Sequence, residues 1–167
     1  MIKKRFNLID EPWIPVANMG RVSLKQIFSE PLYKSLGGNP VQKIAVTKLL
    51  LAISQAAYTP QDDEDWAKTG VEGIAEKCLA YLQRWHDAFW LYGDKPFLQM
   101  LEVIPAKEQP FGAILPEVAT GNTTVLIQSQ LEKQLPDAER ALLVLVLMGF
   151  GLGGKKTDNS IVLTSGY

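Results

Sequence analysis

Apolar and polar positions fall into short extended stretches at the start of the chain and into helical spacing after it. Phe6-Asn7-Leu8-Ile9 and Trp13-Ile14-Pro15-Val16 read as two short strands. Pro12 and Pro15 disfavour helix in the residues before them and confine these strands to a sheet edge. Asn18-Met19-Gly20 reads as a hairpin turn, with Arg21-Val22 returning. Ser23 with Gln26 three residues on predicts a boxed cap and a short helix that stops before Pro31. Asn39-Pro40 is a helix start, a cap residue followed by proline at the first helical position. Ile44, Leu51 and Tyr58 repeat at seven, joined by Val41, Leu49, Leu50 and Ala52. That predicts a helix over about 40–58, apolar over much of its circumference and deeply buried.

The acidic run Asp62-Asp63-Glu64-Asp65 suits either a metal cluster or a helix N-terminus. The second reading is favoured, because carboxylates meet unsatisfied N–H groups there. Ile74, Cys78, Leu82, Trp85 and Phe89 then follow at spacings of four, four, three and four, and predict a helix over about 70–91. Cys78 on that stripe reads as a small hydrophobe. His86 lies one residue off the stripe and reads as a boundary histidine satisfied by a neighbour. Trp66, Trp85 and Trp90 fall in helical stretches and read as core. Residues 93–118 are rich in Pro and Gly, a long connection of the kind that is functional or mobile. Gly121 to Gln130 turns β-branched and reads as a short strand or an ordered loop. Residues 136–148 form an apolar helix with Asp137 and Glu139 in its first turn. Gly149, Gly151, Gly153 and Gly154 end it, and 161–164 read as a strand. The fold class is α+β, mostly helical, with a small, partly antiparallel sheet from the N-terminal strands packed on the three longer helices.

The 167 residues suit one domain, and 47% hydrophobic content is enough for a core. One Cys excludes an internal disulfide. One His and one Cys cannot build a closed zinc site, and no other ligand set emerges, so no metal or cofactor is expected. A Ser–His–Asp triad would have to use His86, and no serine in a strained elbow accompanies it. The longest apolar run, Ala141 to Met148, is far short of the roughly 20 residues a membrane helix needs. With no targeting segment, the expected location is cytoplasmic. Net charge is −1, which gives no global sign of nucleic acid. Its distribution is uneven, +5 over residues 1–60 and −5 over 61–108. A basic first third can still bind an anion locally.

Gly149-Phe150-Gly151-Leu152-Gly153-Gly154-Lys155-Lys156 comes close to a phosphate-binding P-loop. The position that should be Ser or Thr for magnesium is Lys156, and a helix precedes the motif where a strand belongs. An ATPase is rejected. What survives is a Gly-rich turn that lets backbone approach a ligand, with two lysines beside it. The competing reading is a helix C-terminus with favourable charge.

Asn7-Leu8-Ile9-Asp10-Glu11-Pro12-Trp13-Ile14-Pro15-Val16, preceded by Phe6, resembles the N-terminal signature of the CasA family, the large subunit of the type I-E CRISPR surveillance complex, Cascade. Gly20 to Leu24, Lys48 to Ile53 and Phe89 to Gln99 resemble that family in the same order. The resemblance implies a non-enzymatic subunit of an RNA-guided antiviral complex. Such a subunit contacts the guide RNA 5′ handle, reads the motif beside the double-stranded DNA target and helps recruit a helicase-nuclease, in company with the other Cascade subunits. Sequence proper is then read by base pairing. Minor-groove reading by backbone and small residues needs no strongly basic protein. By the resemblance, Ile127, Gln128, Ser129 and Gln130 form the loop at the guide handle. Gly151, Gly153 and Gly154, with Lys155 and Lys156, form the glycine loop beside the target motif. The family often has an aromatic residue where Ile127 stands. Residues 1–167 are expected to be the N-terminal domain, or part of it, without the family's C-terminal helical bundle. Trp13, between two prolines, reads as a packing anchor. The alternatives are a stand-alone protein–protein scaffold and a phosphate-binding enzyme using the Lys155 turn.

Overall fold

The structure, a computed structural model, describes residues 2–100 and 134–150. Strand β1 (Arg5–Asn7) comes first, then β2 (Ile14–Val16) and β3 (Gly20–Val22). The strands β2 and β3 form the expected hairpin, with Ile14 opposite Val22 and Val16 opposite Gly20. Asn18 makes the turn at φ 63°, a left-handed conformation that asparagine tolerates better than most residues. Pro15 costs the sheet little because β2 carries only an isolated bridge, Val16 to Leu36, on its other side.

Helix α1 (Leu24–Ser29) starts at the predicted capping box: the Ser23 side chain accepts from the Gln26 amide while the Gln26 side chain accepts from the Ser23 amide. Helix α2 (Pro40–Ala57) starts the same way, Asn39 and Gln42 exchanging the two bonds. Helix α3 (Asp63–Arg84) is capped by Asp62, whose carboxylate accepts from the Asp65 amide. The acidic run is therefore a helix N-terminus. Helical geometry breaks at Gly70, so the expected helix start there stands, with a further helical stretch before it. Gly70 sits at φ 62°, ψ −179°, a backbone region essentially closed to side chains, and joins the two helical halves.

Past Arg84 the sequence reading fails. The chain makes a 3-10 turn over His86–Phe89 and then β4 (Trp90–Tyr92), where helix was expected. Strand β4 pairs antiparallel with β1, Arg5 opposite Tyr92 and Asn7 opposite Trp90. The second small sheet thus joins the N-terminus to a strand far along the chain, and is not built from N-terminal strands alone. Helix α4 (Asp137–Gly149) buries Ala141, Leu142, Leu143, Leu145 and Val146 and packs on α2, which also packs on α3.

Two burial expectations are corrected. Helix α2 buries Ala45, Val46 and Ile53, but Ile44 and Leu51 are 50% and 55% exposed. A helix apolar on most sides offers more than one stripe, and α3 and α4 cover the one through 45, 46 and 53. Trp66 and Trp85 are also exposed. Trp66 lies in the helical half before the Gly70 kink, and Trp85 is the residue that ends α3, so neither continues the buried line of Cys78 and Leu82.

Two carboxylates, half-buried Asp65 and exposed Asp87, have lowered pKa values. Tyr58 donates to Asp65, whose side chain also accepts from the Gln61 amide, and these bonds hold it below the ordinary carboxylate value. Lys4, at 2.9 Å, and then the Trp90 indole do the same for Asp87. A depressed folded value means the unfolded chain takes up protons first as pH falls. Both contributions are complete above the ordinary carboxylate value and disappear as pH drops through the folded values. The acid limb of a stability–pH curve is expected to be shallower in Asp65→Asn, with the loss of stability greatest near neutrality and fading at low pH, as measured by urea unfolding.

Candidate nucleic-acid interface

Ile127, Gln128, Ser129 and Gln130 lie outside the described residues. So do Gly151, Gly153, Gly154, Lys155 and Lys156, and the strand expected at 161–164. The structure does describe the supports from which both segments leave. The first departs after Met100 and returns at Gln134; the second departs after Phe150. Helix α4 lies between them, its 13 residues spanning roughly 20 Å.

The N-terminal end of α4 is held by a polar network. The Tyr92 hydroxyl donates to Asp137 Oδ1 at 2.9 Å and accepts from Arg140 at 3.1 Å. Arg140 Nε donates to the Leu135 carbonyl at 2.7 Å. Arg5 pairs with the other Asp137 oxygen, and its guanidinium lies 4.1 Å from the Tyr92 ring centre. Arg21 reaches Glu139 at 3.4 Å. On the outgoing side, Gln99 Nε2 donates to the Leu91 carbonyl at 2.8 Å, and the Phe97 amide to the Trp90 carbonyl at 2.8 Å. Asp137 was legible in the sequence only as a first-turn acid. Tyr92 and Gln99 stood inside the string from Phe89 to Gln99, a signal that gave no hint of their partners.

The C-terminal end of α4 has no basic residue of its own in the last turn. Lys48 of α2 supplies the charge: its Nζ lies 3.8 Å from where a Cβ on Gly149 would stand. A cation there meets the negative end of the helix.

The N-terminal signature proves to be structural. Trp13 is fully buried, and its indole donates to the Leu8 carbonyl at 2.8 Å, as expected of an anchor. Asn7 is buried; its Oδ1 accepts from the Ile9 amide at 2.9 Å and its Nδ2 donates to the His86 carbonyl at 3.1 Å. The Leu8 amide donates to the Phe89 carbonyl at 2.9 Å. His86 Nε2 meets Asp10 Oδ2 at 2.7 Å, the satisfied boundary histidine anticipated from sequence. Cys78 is fully buried beside Ser54, and burial raises its thiol pKa. A thiol so placed is a poor nucleophile. Among the described residues no cluster of three His, Cys, Asp or Glu could hold a metal, and no helix is long and apolar enough to cross a membrane.

Comparison with known proteins gives the class first. The fold matches a solved structure described as a CRISPR associated protein from Thermus thermophilus, with a TM-score of 0.71 and 27% identity, over 95% of this chain and 33% of that one. A protein of the same organism described as CRISPR-associated protein CasA/Cse1 is 34% identical over 166 aligned positions, which cover 90% of this chain and 32% of the relative. The model of the family described as CRISPR-associated protein Cse1 matches residues 7–166. The chain belongs to the CasA/Cse1 family. It spans about a third of the length of the relatives it matches.

Proposed function

We propose that the chain acts without catalysis as the N-terminal part of the large subunit of a type I-E Cascade. Ile127 to Gln130 contact the 5′ handle of the guide RNA. Gly151, Gly153 and Gly154, with Lys155 and Lys156, contact the DNA motif beside the target. The same face takes part in recruiting the helicase-nuclease. The observation that carries the reading is the family match over residues 7–166, a span that includes both segments. Three features support it. Helix α4 is braced at both ends, so the two segments leave from fixed points about 20 Å apart. Lys48 adds positive charge where the glycine segment begins. The histidine and the thiol are engaged in hydrogen bonding and packing.

The test is co-migration. The chain is mixed with a type I-E Cascade core that carries guide RNA and lacks its large subunit, then run on size exclusion at two salt concentrations. Co-elution is expected. Replacing both Gln128→Ala and Ser129→Ala should weaken it by about tenfold, the loss of one or two hydrogen bonds to nucleic acid. Co-elution that is indifferent to the guide RNA and to these substitutions would instead favour a protein–protein scaffold.

A further inference from the structure

We infer that Tyr81, Arg84 and Trp85, at the C-terminal end of α3, form a docking surface for another protein subunit, one that presents a carboxylate beside an apolar slot. The inference rests on the proposed place of the chain in a multi-subunit complex. Trp85 is 48% exposed, although Leu82 before it and Phe89 after it are buried. Its ring centre lies 6.4 Å from that of Tyr81, with the planes tilted at 48°. The Arg84 guanidinium lies 5.5 Å from the same ring centre. Tryptophan, tyrosine and arginine are the side chains that carry most of the binding energy where proteins meet.

The surface is held in shape before any partner arrives. The Trp85 amide donates to the Tyr81 carbonyl at 3.0 Å, and the Trp85 carbonyl accepts from the Ala88 amide at 2.8 Å. Both neighbours of the indole, a ring and a guanidinium, restrict its rotamers further. A large side chain already fixed gives up little entropy on binding.

Charge selects the partner. Arg84 is exposed, and no carboxylate pairs with it among the described residues. The polar groups next along the chain are already matched: His86 meets Asp10 at 2.7 Å, and Lys4 meets Asp87 at 2.9 Å. The Asp87 side chain is nonetheless 81% exposed, and Glu11 is exposed beside Asp10. A run of phosphates crossing this surface would meet those carboxylates, which disfavours nucleic acid as the occupant. A protein carboxylate has only to reach Arg84, where the planar fork suits a two-bonded pair. The slot beside it takes the indole out of water.

The test measures affinity of the full chain for the guide-loaded Cascade core that lacks its large subunit. Trp85→Ala is expected to weaken binding by about thirtyfold, the loss typical of a central aromatic anchor. Arg84→Ala should weaken it by about tenfold. Arg84→Glu should cost at least about a further tenfold, because it sets like charges face to face. Both arginine variants should keep the wild-type urea midpoint, so misfolding would not explain their losses. Binding within about threefold of wild type for Trp85→Ala, or equal losses from Arg84→Ala and Arg84→Glu, overturns the inference. So does an equal loss of affinity for free guide RNA, which would make the surface a nucleic-acid platform.

The same titrations separate this surface from the proposed guide-RNA contact. If Gln128→Ala with Ser129→Ala leaves binding intact while Trp85→Ala weakens it, the docking surface stands and the guide-RNA role falls. The reverse pattern keeps the guide-RNA role and sinks the docking surface. A wild-type chain that does not bind the core sinks both.

Discussion

Trp13→Ala is expected to remove about 3–5 kcal/mol of folding stability, the usual cost of deleting a fully buried large aromatic side chain. Small domains have only about 5–15 kcal/mol in total, so much of the protein should be unfolded at moderate urea. Trp13 is fully buried among Leu8, Ile14 and Leu24, which are themselves fully buried. Its indole also satisfies the Leu8 carbonyl, which accepts from the Leu24 amide as well. Removing the ring therefore opens a cavity and weakens the tie between the first strand and α1. The measurement is the urea midpoint followed by far-UV circular dichroism. Trp13→Phe fills most of the cavity but lacks the donor, and should fall between the two. A loss under about 1 kcal/mol for Trp13→Ala would mean the ring is not an anchor.

Asn7→Leu is expected to cost about 2–4 kcal/mol although leucine is close to asparagine in shape. Each buried polar group left without a partner costs about 1–3 kcal/mol, and this change strands two of them, the Ile9 amide and the His86 carbonyl. Asn7 joins the N-terminal string to the 3-10 turn that leads into β4, so the damage should spread to the β1–β4 pair. Hydrogen exchange should show it as faster exchange at the Ile9 and Leu8 amides. Protection that remains at Leu8 would confine the role of Asn7 to its own turn. These two expectations also explain why the signature string identifies the family. Its asparagine and tryptophan hold several chain segments together, and neither is free to reach a ligand.

The caps and the hairpin were legible in the sequence because each is settled within a few residues. Ser23 and Gln26 exchange their bonds across one turn, and Asp62 caps α3 from within the acidic run. Strand β4 was not legible. Phe89, Trp90 and Leu91 continue a helical spacing, and only the unpaired edge of β1, far back in the chain, draws them into a strand. Tertiary pairing overrode a local preference there. The Arg5–Asp137 pair was hidden for the same reason, since its members are 132 positions apart. The residues expected to touch nucleic acid came from resemblance to a family, and local pattern alone reduced the glycine turn to a helix end.

By itself the sequence determined the fold class, the starts of α1 and α2, the helical reading of the acidic run, the anchoring role of Trp13 and the family. These depend on short-range hydrogen bonds, on the period of apolar positions and on one specific string. Only the tertiary structure decided which stripe of α2 is covered, which tryptophans stay in water and which strand pairs with β1. Those outcomes depend on which surfaces meet. An apolar stripe gains by burial against any neighbour of suitable shape, so its own pattern does not name the neighbour.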